Sequence, residues 1–130
     1  MSLDTNTVGY TTPAYEFKYD WKTVALYALG IGAKRDELEY LYEAKGPKVY
    51  PTFAVVPAYA ALGDALVKTQ GNRARVVHGG QTVSMHRPIP SEGTMKTVAT
   101  ITGIYDMKKM ANVIVKTTTE ANGEPCFDTE

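Results

Sequence analysis

The stretch Thr52–Lys68, TFAVVPAYAALGDALVK, constrains the chain more than any other. From Phe53 to Leu62 every residue is apolar or tyrosine, and Asp64 is the only charge before Lys68. A surface helix carries one apolar stripe and one polar face. This segment is apolar nearly all round, which predicts a buried helix over about 52–68. It is too short and too alanine-rich for a membrane span, which needs about 20 strongly apolar residues. Ala54, Ala58, Ala60, Ala61, Gly63 and Ala65 keep the helix thin. A thin buried helix suits a sheet that curls closely around it.

The remaining chain is long enough to supply that sheet. Its 130 residues fit one domain, 1–130, able to bury about two-thirds of its unfolded surface without metal or disulfide support. Fourteen basic side chains balance 14 acidic ones. That balance argues against general binding to nucleic acid or to an anionic membrane. Cys126 is the single cysteine, so no internal disulfide forms and a reducing compartment is expected. The polar start, MSLDTNTVGYTTPAY, has no apolar signal core. Met1-Ser2-Leu3 fits an expression remnant as readily as a native start.

Residues 1–15 read as an arm. Asp20 is placed to cap a first helix, DWKTVALYALG, with Gly30 as its stop. Gly30 and Gly32 do not make a phosphate loop: they follow a helix and lack a third glycine. Residues 35–45, RDELEYLYEAK, fit a short strand or a helical turn. Thr52 is a candidate cap for the central helix; Pro57, just beyond its first turn, costs about one backbone hydrogen bond, so either the helix begins nearer Pro57 or it tolerates a bend there. After TQGNRAR the period changes to two. Residues 75–86, RVVHGGQTVSMH, read as a strand, with Val77, Gly79, Gln81, Val83 and Met85 on one face. Residues 94–106 and 110–120 are rich in Thr, Val and Ile and read as two more. Asn122-Gly123 signals a hairpin, and residues 124–130 begin a further strand that the sequence cuts short. Helices first and an antiparallel meander afterwards make an α+β fold, with the sheet folded onto the helix.

Candidate chemistry is sparse. The two histidines, His78 and His86, and Cys126 match no zinc spacing, and Cys126 reads as a buried structural thiol. His78-Gly79-Gly80 is the most informative triplet. Glycines inside a strand weaken it by roughly 0.5–1 kcal/mol each relative to alanine. Such a cost points to a bulge or to close approach by a ligand or another backbone. Lys108-Lys109 sits in a turn; such a pair is either solvated or a phosphate contact.

Several stretches together resemble a known family: YALGIGAKRDELEYLYE (27–43), YPTFAVVPAY (50–59), VVHGGQTVSMHRPIPSEG (76–93) and the hairpin segments down to NGEPCFDTE. In order and spacing they are similar to the N-terminal half of the MaoC-like (R)-specific enoyl-CoA hydratases, the hydratase 2 unit of peroxisomal multifunctional enzyme type 2. The resemblance implies a hotdog fold, an antiparallel sheet wrapped round a long helix, with a second hotdog half packed beside it. It implies a trans-2-enoyl-CoA substrate, hydrated to a (3R)-3-hydroxyacyl-CoA. It needs no cofactor, since CoA is part of the substrate. His78 and Gly79 match positions that contact acyl-CoA, and Lys108 lies at or beside a third. The family's catalytic run, Gly-Asp-x-Asn-Pro-x-His, is absent: no Asp precedes a His by five residues and no Asn-Pro occurs. The resemblance therefore implies that this half shapes the acyl-CoA site, has no catalytic residue of its own, and is inactive without the half that carries the Asp/His pair. Its place would be cytoplasmic, or the peroxisomal matrix in a eukaryote. A scaffold or acyl-CoA-binding subunit with no reaction is the alternative. A hotdog thioesterase with Asp64 as its carboxylate is a weaker one.

Overall fold

The computed structural model describes residues 3–130; Met1 and Ser2, part of the remnant reading, lie outside the described residues. In chain order come β1 (Tyr15–Tyr19), α1 (Trp21–Gly30), α2 (Leu38–Leu41), α3 (Val55–Lys68), β2 (Val83–Met85), β3 (Gly93–Asp106), β4 (Ala111–Ala121) and β5 (Glu124–Thr129). The strands form one antiparallel sheet in the order β1-β3-β4-β5-β2. The α+β expectation holds, with α3 lying against the inner face of β3 and β4, but the strands are not a plain meander: β2 pairs with β5 at one edge instead of with β3, and β1 takes that place beside β3.

Alternation builds that sheet. Met95, Thr97, Ala99 and Ile101 of β3 are buried, as are Val115, Thr117, Thr119 and Ala121 of β4. The residues between them face outward. At Asn122-Gly123 both residues have positive φ, +53° and +83°, the geometry that the tight β4–β5 hairpin needs. Asp20 caps α1 through Thr23 N at 3.1 Å.

The central helix differs from expectation in three ways. A 3-10 turn, Pro51–Ala54, precedes the α-helix, which begins at Val55. Of the two readings of Pro57 the later start holds: it sits in the first turn of α3, where its missing N–H loses nothing. Thr52 is not the cap: its hydroxyl accepts from Tyr27 Oη at 3.0 Å, and α3 has no side-chain cap. The helix is also not buried all round. Ala54, Ala58, Ala61 and Ala65 meet the sheet, and these small side chains let it close in. Val55, Tyr59 and Val67 are exposed, Tyr59 to 77%. The sheet covers one side of α3 only.

Three strand assignments also change. Tyr15, the end of the expected arm, and residues 16–19, given no element by the sequence, form the edge strand β1, paired with residues 93–97 of β3. The segment before it continues along the same edge: Gly9 N donates to Ile101 O, Ile101 N to Tyr10 O and Thr12 N to Ala99 O, at 2.8–3.0 Å. The 35–45 ambiguity resolves as helical: the turn α2 is followed by a 3-10 turn, Glu43–Lys45. The strand expected over 75–86 shrinks to Val83–Met85. Among the described residues, 76–82 make no ladder hydrogen bond except through Thr82.

Candidate functional site

The expected contact residues lie on an exposed rim rather than in a cavity. Asn72 Oδ1 accepts from Ala74 N and starts a short turn, Arg73–Arg75. The chain leaves it extended at Val76 (φ −79°, ψ 131°). From there residues 76–82 are exposed, Val77 to 85%. His78 Nε2 donates to Gln81 Oε1 at 3.0 Å, and Gln81 Nε2 donates to Glu130 O at 3.2 Å. Thr82 and Glu130 exchange both backbone hydrogen bonds, at 2.7 and 2.9 Å. The His-Gly-Gly segment is thus pinned at one end, to the last residue of the chain.

The double glycine is not a bulge. Neither Gly79 nor Gly80 has positive φ, and a Cβ on either would meet nothing within 4 Å. The sheet's register shifts lie elsewhere, at Ile101/Gly103 and Thr119/Glu120. Space at the glycines leaves the backbone open to close approach from outside.

Lys108 is the left-handed residue (φ +69°) of the β3–β4 turn. Its N–H donates to Asp106 Oδ1 at 2.8 Å, and Met107 N donates to Met110 O at 2.8 Å. The turn aims an exposed lysine away from the sheet, flanked by exposed Met107 and Met110. No hydrogen bond joins Lys108 to His78 among the described residues, so they act together only across a ligand that spans both.

His78 has no carboxylate partner among the described residues, and without one it is not half of an acid/base pair. The histidine that does have one is His86: its Nε2 lies 3.2 Å from Asp128 Oδ2, with Lys116 Nζ 3.9 Å from the same oxygen. This group stands on the outward face of the sheet. Spacing alone cannot find it, because it depends on the β2–β5 register that pairs Ser84 with Asp128.

Asp64 is half-buried rather than free. Tyr15 Oη donates to one carboxylate oxygen at 2.6 Å and Tyr10 Oη to the other at 3.1 Å. Both phenol pKa values are raised, chiefly by these hydrogen bonds to the carboxylate. With both oxygens engaged, Asp64 clasps the N-terminal segment to α3. Cys126 is fully buried, as expected of a structural thiol, and burial pushes its pKa up.

A five-stranded antiparallel sheet holding one long helix against a single face is the hotdog architecture. The C-terminally truncated HadBC (3R-hydroxyacyl-ACP dehydratase) complex of Mycobacterium tuberculosis superposes with a TM-score of 0.76 over 95% of this chain and 93% of that one, at 13% identity. The fold class is therefore that of the MaoC-like hotdog dehydratases. The family follows from sequence: the model of the MFE-2 hydratase 2 N-terminal domain matches residues 17–130, and the chain belongs to that family. It is 31% identical over 118 residues to the 3-hydroxyacyl-thioester dehydratase Y of Mycobacterium tuberculosis, covering 88% of this chain. It is 38% identical over 104 residues to the peroxisomal hydratase-dehydrogenase-epimerase of Saccharomyces cerevisiae, covering 76% of this chain. The chain spans 40% of the first relative's length and 12% of the second's. Among the described residues no helix is long and apolar enough to cross a membrane.

Proposed function

We propose that this chain is the non-catalytic N-terminal half of an (R)-specific 2-enoyl-CoA hydratase. The reaction adds water to a trans-2-enoyl-CoA and gives a (3R)-3-hydroxyacyl-CoA. One observation carries the reading: a member of the hydratase 2 N-terminal family presents His78-Gly79 on an open rim, yet among the described residues no carboxylate pairs with His78. The acid/base step needs a carboxylate and an imidazole converging on one water. A partner hotdog half carrying the Asp/His run supplies them. The half described above supplies binding: His78 and the bare backbone at Gly79 meet the acyl-CoA, and the Lys108 ammonium takes a phosphate of the CoA. No cofactor enters, because the thioester carbonyl already activates the double bond.

The apolar outer face of α3 supports a partner. Val55, Tyr59 and Val67 lie on the side of the helix that the sheet leaves uncovered, where a second hotdog half would close the acyl tunnel. The test mixes this chain with a separately produced half carrying the Asp/His run and follows loss of enoyl-CoA absorbance. The expected result is no turnover by this chain and turnover by the mixture. Hydration by this chain alone at enzyme-like rates would overturn the division of labour.

A further inference from the structure

The two tight hairpins of the sheet meet one requirement in two ways. A two-residue hairpin loop needs positive φ, because the mirror-image turns are those that match the twist of the strands, and glycine or asparagine adopts it with least strain. The β4–β5 turn follows that rule with Asn122-Gly123. The β3–β4 turn does not. Its closing pair is Met107 and Met110, its loop residues are Lys108 and Lys109, and Lys108 has φ +69°. Among the described residues the other non-glycines with positive φ are Gln70 and Asn122. Gln70 follows the end of α3, where a left-handed residue commonly closes a helix, and asparagine tolerates the conformation better than most. Lys108 has neither reason. Its Cβ brings strain that a glycine would avoid.

The backbone around Lys108 is tied from three directions. Met107 N donates to Met110 O at 2.8 Å, and Lys109 N donates to Met107 O at 2.9 Å. The second bond spans two residues and closes a γ-turn around Lys108; with positive φ this is the rare, strained form. The third bond comes from a side chain: Asp106 Oδ1 accepts from Lys108 N at 2.8 Å. An aspartate that bonds the backbone two residues on sets a turn in this way. The ion pairs among the described residues involve neither Asp106 nor Lys108 nor Lys109. The carboxylate is engaged by the backbone, and the Lys108 ammonium stays free of it although only two residues separate them.

We propose that Asp106 is a positioning residue: it holds the strained β3–β4 turn so that the Lys108 ammonium is fixed for one phosphate of CoA. The phosphate rests on the function proposed above; the positioning rests on the turn. Strained residues persist only where their surroundings over-determine them, and they cluster at ligand clamps. Fixing the direction of the Cα–Cβ bond beforehand removes part of the ordering cost of binding. Electrostatics make the role separable. A carboxylate near an anion-binding lysine repels the anion, so Asp106 opposes phosphate binding by its charge and favours it through its hydrogen bond.

Calorimetric titration of CoA into the full chain tests this. Lys108→Ala removes the ammonium and is expected to weaken binding about tenfold. Asp106→Ala removes charge and acceptor together and is expected to weaken it about fivefold. Asp106→Asn keeps the acceptor and is expected to restore that loss. Added to Lys108→Ala, Asp106→Ala is expected to weaken binding no further. Lys108→Gly is expected to lose affinity as alanine does, while relief of the strain raises the thermal midpoint by about 2–5 °C. Tighter binding by Asp106→Ala would put charge rather than position in control and overturn the proposal. Equal losses with Ala and Asn, additive losses in the double variant, or no rise in midpoint with glycine overturn it as well. Wild-type binding that Asp106→Ala leaves unchanged overturns this inference alone. No CoA binding by the wild-type chain or by its mixture with the catalytic half overturns the proposed function and this inference with it.

Discussion

Gly93 opens β3 with φ +141°, and a Cβ there would lie 2.1 Å from Asn122 Oδ1. That oxygen accepts from Thr94 N at 3.1 Å, tying the β4–β5 hairpin to the start of β3. Gly93→Ala must strain the backbone and displace the amide together. A cost of about 1–3 kcal/mol is expected, read as a lower urea midpoint with an unchanged slope. Tyr19 makes a different kind of prediction. Its hydroxyl donates to Pro90 O at 2.6 Å, and its pKa is pushed up to about 12, mainly by burial. In the unfolded chain the phenol titrates near 10. As pH rises from about 10 the unfolded state loses this proton first, so the stability it contributes is whole below pH ~10 and lost through pH ~12. Tyr19→Phe should cost about 1 kcal/mol at neutral pH and make the alkaline decline shallower. Tyr10 and Tyr15, also raised, keep it from vanishing. Parallel decline of wild type and variant in urea titrations across that range would refute the assignment.

At the scale of the element, the inner face of the sheet is held by paired hydroxyls as well as by hydrocarbon. Thr97 and Thr119 share a hydrogen bond at 2.8 Å and Thr117 and Thr129 one at 2.6 Å, all four side chains buried. Thr117→Val leaves the Thr129 hydroxyl unpaired, which should cost about 1–3 kcal/mol. Replacing both by valine removes the orphan. The double variant should recover most of that loss in thermal unfolding, and an additive double loss would show that the pair is not the unit. These positions were readable in advance, since richness in Thr, Val and Ile placed 94–106 and 110–120 as strands and Asn-Gly placed the hairpin. Period-two alternation over-reached at 75–86. Alternation reports what a strand would bury, but a ladder also needs a neighbour, and beside residues 76–81 there is none among the described residues. Nothing was read at 16–19, and the expected arm, 1–15, stopped at the residue where β1 begins. Tyr15, Phe17 and Tyr19 turn inward only because β3 offers an edge.

For the whole molecule, the informative error is the central helix. Its composition predicted burial all round, but the sheet buries only the alanine stripe, at Ala54, Ala58, Ala61 and Ala65. The apolar face of the helix left outside the sheet is the one that the proposed partner half would cover. Composition cannot show this, because it does not say how much sheet one chain supplies. The candidate site was legible to a similar extent: the glycines and His78 were visible as an anomaly, while the missing carboxylate opposite His78 needed the fold. Tyr59, 77% exposed on that outer face, separates the two roles of the helix. Tyr59→Glu touches nothing in the core, so unfolding free energy should stay within about 0.5 kcal/mol of wild type. If the outer face receives the partner half, a carboxylate placed there must be desolvated, and association should weaken at least tenfold, an effect of roughly 1.4 kcal/mol or more. Calorimetric titration of the catalytic half into each form reads the difference directly. Unchanged affinity with unchanged stability would move the interface off α3, leaving the rim around His78 as the surface through which the two halves meet.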